Sequence, residues 1–286
     1  MNAYLKLIRL DKPIGFLLVL WPTLSALLIA YDYQPPWLVI LIFIAEAFLT
    51  RSFGCVLSDF FDHKFDALVA RTKNRPIPAG DISTKNAFSF AILLIAIAFI
   101  LAITTLHPRT IIASFIVLFF IVTYPLTKRF LSIPQLYLAI TWSSGIILAF
   151  IESGQVKEKW FLCLILCLIN IFWTMAFDTI YALVDEQYDR VIKIKSSAIL
   201  FNHLAVPIIK FLYYLYMIFL IYLGNLLHMK WPYYLLMCIL WFNIVYIFRL
   251  IADKDPNRCL LAFLSNNKIG YLTYAAFLTE IFYKIH

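Results

Sequence analysis

The feature that most constrains this chain is a series of seven uncharged, largely apolar runs, each 18 to 22 residues long. A helix needs about 20 such residues to cross the hydrocarbon core of a bilayer, whereas the helices of soluble proteins have a polar face. The runs are Pro13–Tyr31, Asn86–Leu106, Thr110–Thr127, Phe130–Ile151, Trp160–Phe177, Phe211–His228 and Trp231–Phe248. They predict an all-α membrane protein.

The composition excludes a soluble fold. Hydrophobic residues make up 63% of the 286 residues and charged residues 14%, against roughly 45–50% and about 25% in soluble domains. So few charges cannot cover a soluble protein of this size. The net charge of +8 would suggest nucleic acid in a soluble protein, but here it reflects basic loops on one side of a membrane, so no nucleic-acid partner is expected.

Two weaker segments raise the predicted number of membrane spans to nine. They are Pro35–Ser58, which contains Glu46 and Arg51, and Ile269–Tyr283. Glu46 and Arg51 form either an intramembrane pair or part of a cavity wall. With the N-terminus in the cytoplasm, 17 of the 24 Lys and Arg residues fall on the cytoplasmic side and five on the other, as the positive-inside rule requires. Because only two polar connections (59–85 and 178–202) are long and glycine is scarce, residues 1–286 are predicted to form a single polytopic membrane domain.

Two acidic clusters follow membrane spans on the predicted cytoplasmic side, each with three aspartates spaced to share one helical face. They are Asp59, Asp62 and Asp66 in the first, and Asp178, Asp185 and Asp189, with Tyr181 beside them, in the second. Carboxylates stacked near a bilayer need a counter-charge. Mg²⁺ prefers carboxylate oxygen and leaves positions open for phosphates, so facing clusters predict a two-ion diphosphate site. Solvated helix ends, the alternative interpretation, account for one cluster better than for two.

Basic residues follow the acidic clusters on the same side. They are Arg71, Lys73 and Arg75 after the first cluster, Arg190, Lys193 and Lys195 after the second, and Lys128 and Arg129 after the fourth span. The positive-inside rule explains each of them singly. As a set they suit a ligand rich in phosphate.

At these positions the chain resembles the UbiA family of intramembrane prenyltransferases. The family's first motif, Asn-Asp-x-x-Asp-x-x-x-Asp, appears as Ser58-Asp59-x-x-Asp62-x-x-x-Asp66, and its second, Asp-x-x-Tyr-Ala-x-x-Asp-x-x-x-Asp, is intact from Asp178 to Asp189. Further matches look like the 4-hydroxybenzoate branch of the family. They are Arg9-Leu-Asp-Lys-Pro-Ile-Gly15, Trp21-Pro22, Arg71-Thr-Lys-Asn-Arg-Pro-Ile-Pro78, Tyr124-Pro125 and Ile194-Lys-Ser-Ser-Ala-Ile-Leu200.

The resemblance implies a nine-transmembrane-helix bundle with a central cavity that opens to the cytoplasmic side, located in the bacterial inner membrane. The implied reaction transfers a polyprenyl group from polyprenyl diphosphate to ring position 3 of 4-hydroxybenzoate, an early step of ubiquinone biosynthesis, with Mg²⁺ as cofactor. A sister prenyltransferase with another aromatic acceptor, such as a naphthoate, is one alternative. A cation-coupled transporter is the other, although the acids lie at helix exits rather than at paired mid-membrane breaks.

The resemblance also implies roles for single residues. The catalytic and metal-binding positions are Asp62, Asp66, Asp185 and Asp189, with Asp59 as a further metal position. Arg71, Lys193 and Lys195 are expected to bind the diphosphate, and Arg129 the carboxylate of the aromatic acceptor. Ser58, Asp178 and Tyr181 are expected to support the site. Ser58 replaces a usual Asn and is a weaker ligand.

Overall fold

The computed structural model describes residues 2–67, 72–191 and 194–284, and this part of the chain is helical without a β-strand. Its nine long helices are α2 (Ile14–Ala30), α3 (Trp37–Asp66), α4 (Thr84–Thr105), α5 (Pro108–Thr127), α6 (Pro134–Glu152), α7 (Trp160–Val191), α9 (Ala205–Leu226), α10 (Trp231–Leu250) and α11 (Pro256–Leu278). Short helices are α1 (Ala3–Leu7), α8 (Ser197–Phe201) and α12 (Ile281–Lys284).

Seven helical segments of the described residues are long and apolar enough to cross a membrane, namely α3 to α7, α8 together with α9, and α10. The chain is therefore a multi-pass membrane protein. Of the other two predicted spans, α2 has only 17 residues, and α11 has the length but a more polar composition. The described residues thus contain nine long helices, and length and composition support seven helical segments as membrane spans.

The last long helix differs in extent from its prediction. The apolar pattern predicted a span over Ile269–Tyr283, whereas α11 begins thirteen residues earlier at Pro256 and ends at Leu278. Asp255 caps its first turn, and proline suits the first helical position. Polar residues such as Asn266 interrupt the apolar pattern in this part of the helix. The side-chain oxygen of Asn266 accepts a hydrogen bond from Trp173 Nε1 at 2.9 Å, so it is paired inside the protein.

The two longest helices carry the acidic clusters. Helices α3 and α7 contain 30 and 32 residues, about 45 and 48 Å at roughly 1.5 Å per residue. Both exceed the hydrocarbon core of a bilayer, which is about 30 Å thick. Each acidic cluster therefore forms the last turns of a continuous helix, as the spacing of its aspartates predicted.

The helices pack into two hydrophobic clusters. The larger joins the first part of α3 to α2, α6, α7, α9, α10 and α11, with Trp173 and Phe177 among its buried residues. The smaller joins α1, α3 and α4 around Leu7, Phe53 and Val56. Helix α4 packs along α3, whereas α5 packs on α6 and α3 and hardly touches α4. This arrangement leaves space between α4 and α5.

Gly270 of α11 allows close packing in the larger cluster, and its substitution should destabilise the protein. An added Cβ would lie 2.5 Å from Cδ1 of Trp21 and 2.7 Å from Cη2 of Trp173. Gly270→Ala should therefore lower the unfolding free energy by about 1–3 kcal/mol, a typical effect of overpacking, measured as thermal unfolding in detergent. Gly54→Ala is the matched control, because its Cβ would meet only Ile121 Cγ2 at an ordinary 3.6 Å. Equal melting temperatures for the two variants would contradict this prediction.

Candidate active site

A cavity of about 1730 Å³ lies between the helices that carry the acidic clusters. All six clustered aspartates line it, namely Asp59, Asp62 and Asp66 from α3 and Asp178, Asp185 and Asp189 from α7. Ser58 and Tyr181 line it as well. Its wall between α4 and α5 is apolar and includes Ile95, Phe99 and Leu118. The cavity thus joins an acidic end to an apolar end, and the structure brings together the two clusters that the sequence predicted to face each other.

The aspartates of the first cluster differ in their partners. Asp59 is only 1% exposed and binds two arginines. Nη2 of Arg9 lies 2.7 and 2.8 Å from its two carboxylate oxygens, and Nη1 of Arg75 lies 3.1 Å from Oδ1. The same Nη1 of Arg75 is 2.6 Å from Oδ2 of Asp66. Asp62 has no ion-pair partner among the described residues and lines the cavity.

Two lysines lie together at the acidic end because the segment after α7 folds back onto the end of α5. The main-chain N–H of Lys195 donates to the carbonyl of Lys128 at 3.1 Å, and its Nζ donates to the carbonyl of Phe130 at 2.9 Å. Both lysines line the cavity. Burial alone would lower the pKa of Lys128, but the acidic groups around it raise that pKa above its ordinary value. Lys128 therefore stays charged.

Arg51 and Glu46 lie deeper in the same cavity, on α3. The Arg51 guanidinium packs against the backbone of Gly15, where a Cβ would lie 2.6 Å from its Nη2. Its Cζ is 5.5 Å from the centre of the Trp142 ring. Nε of Arg51 and Oε1 of Glu46 are both buried without a hydrogen-bond partner in the described chain. Of the two interpretations that the sequence allowed, the structure therefore supports a cavity wall rather than an ion pair.

The predicted anion-binding residues are placed differently from one another. Arg71 and Lys193 lie outside the described residues, so their predicted roles in binding diphosphate have no structural description. Lys195 lines the cavity, whereas Arg129 is not part of the described cavity wall. Arg129 Nη2 instead donates to the carbonyl of Phe61 at 3.3 Å. The neighbouring Lys128 occupies the cavity side.

Sequence reasoning did not assign Arg9 to the site. It was counted among the cytoplasmic charges and in the segment Arg9–Gly15 that resembles the family, and it has no regular spacing to Asp59, which lies 50 residues later. Arg75 was among the basic residues that follow the first acidic cluster, but the sequence did not indicate which carboxylate it binds. Only the fold brings these arginines to one carboxylate. The one sequence signal was the resemblance itself, which covers both residues.

The donor set fits Mg²⁺ as an ion that arrives with phosphate. The acidic end offers carboxylate oxygens, which hard divalent cations prefer, from two facing helices. No three His, Cys, Asp or Glu side chains of the described residues are close enough to hold an ion alone. Mg²⁺ is usually bound through one or two carboxylates, water and substrate phosphate. The arrangement therefore suits a metal shared between protein and diphosphate.

A membrane bundle whose cavity joins an acidic end, also lined by cations, to an apolar end is suited to bind a lipid-like phosphate ester. Residues 19–272 match the UbiA prenyltransferase family. The chain belongs to this family.

Curated relatives support the same assignment, and solved structures share the fold. The 4-hydroxybenzoate octaprenyltransferase of Methylobacillus flagellatus is 43% identical over 99% of this chain and 95% of its own length. The enzyme of that name from Vibrio campbellii is 39% identical over 94% of each chain. The apo structure of a UbiA homolog from Aeropyrum pernix K1 has a TM-score of 0.81 at 20% identity, over 94% of this chain and 98% of that chain.

A UbiA homolog from Archaeoglobus fulgidus bound to GPP and Mg²⁺ has a TM-score of 0.71 at 17% identity, over 97% of this chain and 98% of that chain. At these identities the two solved structures show that the fold is shared.

Proposed function

We propose that the protein transfers a polyprenyl group from polyprenyl diphosphate to ring position 3 of 4-hydroxybenzoate, an early step of ubiquinone biosynthesis. The observation that carries this proposal is the single cavity lined by the aspartates of both motifs at one end and by apolar side chains at the other. The names of the relatives at about 40% identity support the acceptor and the polyprenyl donor. The GPP and Mg²⁺ bound by a structural neighbour support the diphosphate and the metal.

The proposed topology has nine spans in the bacterial inner membrane, with the N-terminus and the mouth of the cavity on the cytoplasmic side. The excess of Lys and Arg on that side supports it. The 17 residues of α2 extend about 26 Å, close to the thickness of the hydrocarbon core. Residues 1–286 then form one polytopic membrane domain that takes its donor from the lipid bilayer.

The acidic end is the proposed diphosphate site. Asp62 and Asp66 of α3 and Asp185 and Asp189 of α7 would hold Mg²⁺, which when bound withdraws charge from the departing diphosphate. Four of the cations that line the cavity, Arg9, Arg75, Lys128 and Lys195, would neutralise the phosphate oxygens. Arg71 and Lys193 are proposed to join them, and Ser58, Asp178 and Tyr181 to support the site.

The apolar end protects the reaction from water. As the bond between the prenyl carbon and oxygen breaks, diphosphate leaves with the electron pair and an allylic cation remains. Apolar side chains such as Phe99 and Leu118 exclude water that would quench this cation. The electron-rich ring carbon beside the acceptor hydroxyl then attacks, and loss of the ring proton restores aromaticity.

The carboxylate of the acceptor needs a permanently charged partner in this low-dielectric space, and arginine supplies two parallel hydrogen bonds to it. The sequence predicted Arg129 for this role. Arg51 has the stronger structural case, because it lines the cavity and its buried Nε has no partner in the described chain. We infer that Arg51 holds the acceptor carboxylate and retain Arg129 as the alternative.

Prenyl transfer in isolated membranes tests the proposed function. Membranes containing the protein should convert polyprenyl diphosphate and 4-hydroxybenzoate to the 3-prenylated acid when Mg²⁺ is present, as measured by chromatography. EDTA should abolish the reaction, and added Mg²⁺ should restore it. If a naphthoate were prenylated and 4-hydroxybenzoate were not, the protein would be a sister prenyltransferase. Solute uptake into proteoliposomes without prenyl transfer would instead support a cation-coupled transporter.

A further inference from the structure

The N-terminal strap, residues 2–12, is docked on the side of α3 that carries the first acidic cluster. Leu7 of the strap is completely buried against Phe53 and Val56 of α3. The ring of Tyr4 meets the ring of Phe90 on α4 edge to face, with centroids 5.0 Å apart. These contacts bring the end of the strap beside the acidic end of the cavity.

Arg9 of the strap has an unusual backbone conformation that its side-chain contacts explain. Its backbone φ is +62°, in the left-handed region that residues other than glycine seldom adopt. The turn is closed by a hydrogen bond from the Lys12 N–H to the Arg9 carbonyl at 3.0 Å. The guanidinium binds both oxygens of Asp59 through Nη2. The ion pair therefore stabilises a turn that is otherwise unfavourable.

Arg75 reaches the same carboxylate from the other direction along the chain. It follows Asp59 by 16 residues, and it bridges Asp59 to Asp66 through Nη1. The side chain of Asp59 is 1% exposed, whereas those of Arg9 and Arg75 are 26% and 22% exposed. The carboxylate thus lies inside, and the two guanidinium groups lie nearer the surface on the cavity wall.

Asp62, one helical turn further along α3, has the opposite environment. It lines the cavity and has no ion-pair partner among the described residues. Both oxygens of Asp59, in contrast, are already bound by charged donors. Asp59 would have to release two arginines to bind a metal, and a buried carboxylate that loses its partners is strongly destabilised.

We propose that Asp59 is a positioning residue that holds Arg9 and Arg75 at the cavity rim, facing the donor diphosphate, and that it does not bind Mg²⁺. The proposal rests on the proposed function, because it assigns roles within the same donor site. It replaces the sequence-based expectation that Asp59 is a metal position. It also gives the strap a function, since the strap carries one of the two arginines.

This role can be tested by two measurements that do not depend on catalytic turnover. Mn²⁺ binding to the purified protein at saturating inorganic diphosphate, followed by electron paramagnetic resonance, should weaken at least tenfold in Asp62→Asn but stay within about threefold of wild type in Asp59→Asn. Hydrogen exchange of the strap amides should accelerate in Asp59→Asn and not in Asp62→Asn. A tenfold loss of Mn²⁺ affinity in Asp59→Asn, or unchanged exchange of the strap, would overturn the proposal.

Arg9→Gln keeps the test decisive if Asp59→Asn does not fold, because Arg75 still pairs with Asp59 in this variant. It should raise the KM for polyprenyl diphosphate about tenfold, leave the KM for 4-hydroxybenzoate unchanged and leave Mn²⁺ affinity within threefold of wild type. Lys64→Gln is the matched control, since Lys64 is exposed on α3 and off the described cavity wall. An unchanged donor KM in Arg9→Gln would refute the role of the strap.

The two proposals fail in distinguishable ways. If the wild-type protein transfers no prenyl group, the proposed function is wrong, while the Mn²⁺ and hydrogen-exchange results still decide how Asp59 is used. If prenyl transfer occurs but Asp59→Asn loses metal like Asp62→Asn, the function stands and Asp59 is a metal ligand.

A double variant of Asp59 and Arg9 should have a donor KM no higher than that of Asp59→Asn alone, because both changes remove the same interaction.

Discussion

Asp62→Asn and Asp185→Asn are each expected to lower kcat for prenyl transfer by about 100- to 1000-fold, the usual effect of removing one group that stabilises charge in a transition state. One residue comes from α3 and the other from α7, and both line the cavity. Asparagine keeps the size of the side chain but removes its negative charge. Initial rates at saturating Mg²⁺ and substrates measure the effect.

Glu186→Gln is the matched control for this pair of variants. Glu186 is adjacent to Asp185 in sequence but points elsewhere, pairing with Arg190 at 2.7 Å and lying off the described cavity wall. Its substitution should change activity less than about twofold, since exposed ion pairs contribute little. If Asp185→Asn kept more than half of the wild-type rate in a protein that elutes normally, the diphosphate site could not lie between α3 and α7.

Arg51→Gln should raise the KM for 4-hydroxybenzoate by about 10- to 100-fold, because a hydrogen bond to a charged group contributes about 1.5–3 kcal/mol. The kcat and the KM for the donor should change little, which is the pattern of lost ground-state binding. Arg51→Lys should recover only part of the affinity, since lysine lacks the planar pair of donors. Initial rates across acceptor concentrations, at saturating donor, provide the measurement.

Arg129→Gln is the comparison that decides between the two arginines. Arg129 contacts the Phe61 carbonyl and lies 5.9 Å from the Phe65 ring, so its substitution should leave the acceptor KM within about twofold. The reverse pattern, with acceptor binding lost in Arg129→Gln and kept in Arg51→Gln, would restore the assignment made from sequence. A loss of donor binding alone in Arg129→Gln would place that residue with the diphosphate.

The parts of the fold that depend on local pattern could be predicted from the sequence. Long apolar runs identified the membrane helices, and the spacing of Asp59, Asp62 and Asp66 placed them on one helical face, as found in α3. The start of α11 could not be found in this way, because Asn266 interrupts the apolar pattern and is satisfied by Trp173, 93 residues away in the chain. A hydrogen bond between residues so distant in the chain depends on the tertiary structure.

In the site, too, features that depend on neighbouring residues could be predicted from the sequence, whereas contacts between distant residues could not. The composition of both acidic clusters predicted a divalent metal and diphosphate from nearby residues alone. Whether Lys128 or Arg129 faces the cavity depends on where α5 ends, since consecutive helical residues point about 100° apart. The pairing of Arg9 with Asp59 depends on how the strap docks, which no spacing in the sequence reveals.

Helix α3 carries Arg51 and Asp62 without a break between them. Eleven residues separate them, so they stand about 16 Å apart along the axis and within about 20° of each other around it. In the proposed arrangement, the distance between the acceptor carboxylate and the donor diphosphate is therefore set by one continuous helix rather than by loops. One residue inserted into that stretch would rotate the metal end by about 100° and put the substrates out of register, however well the protein folded.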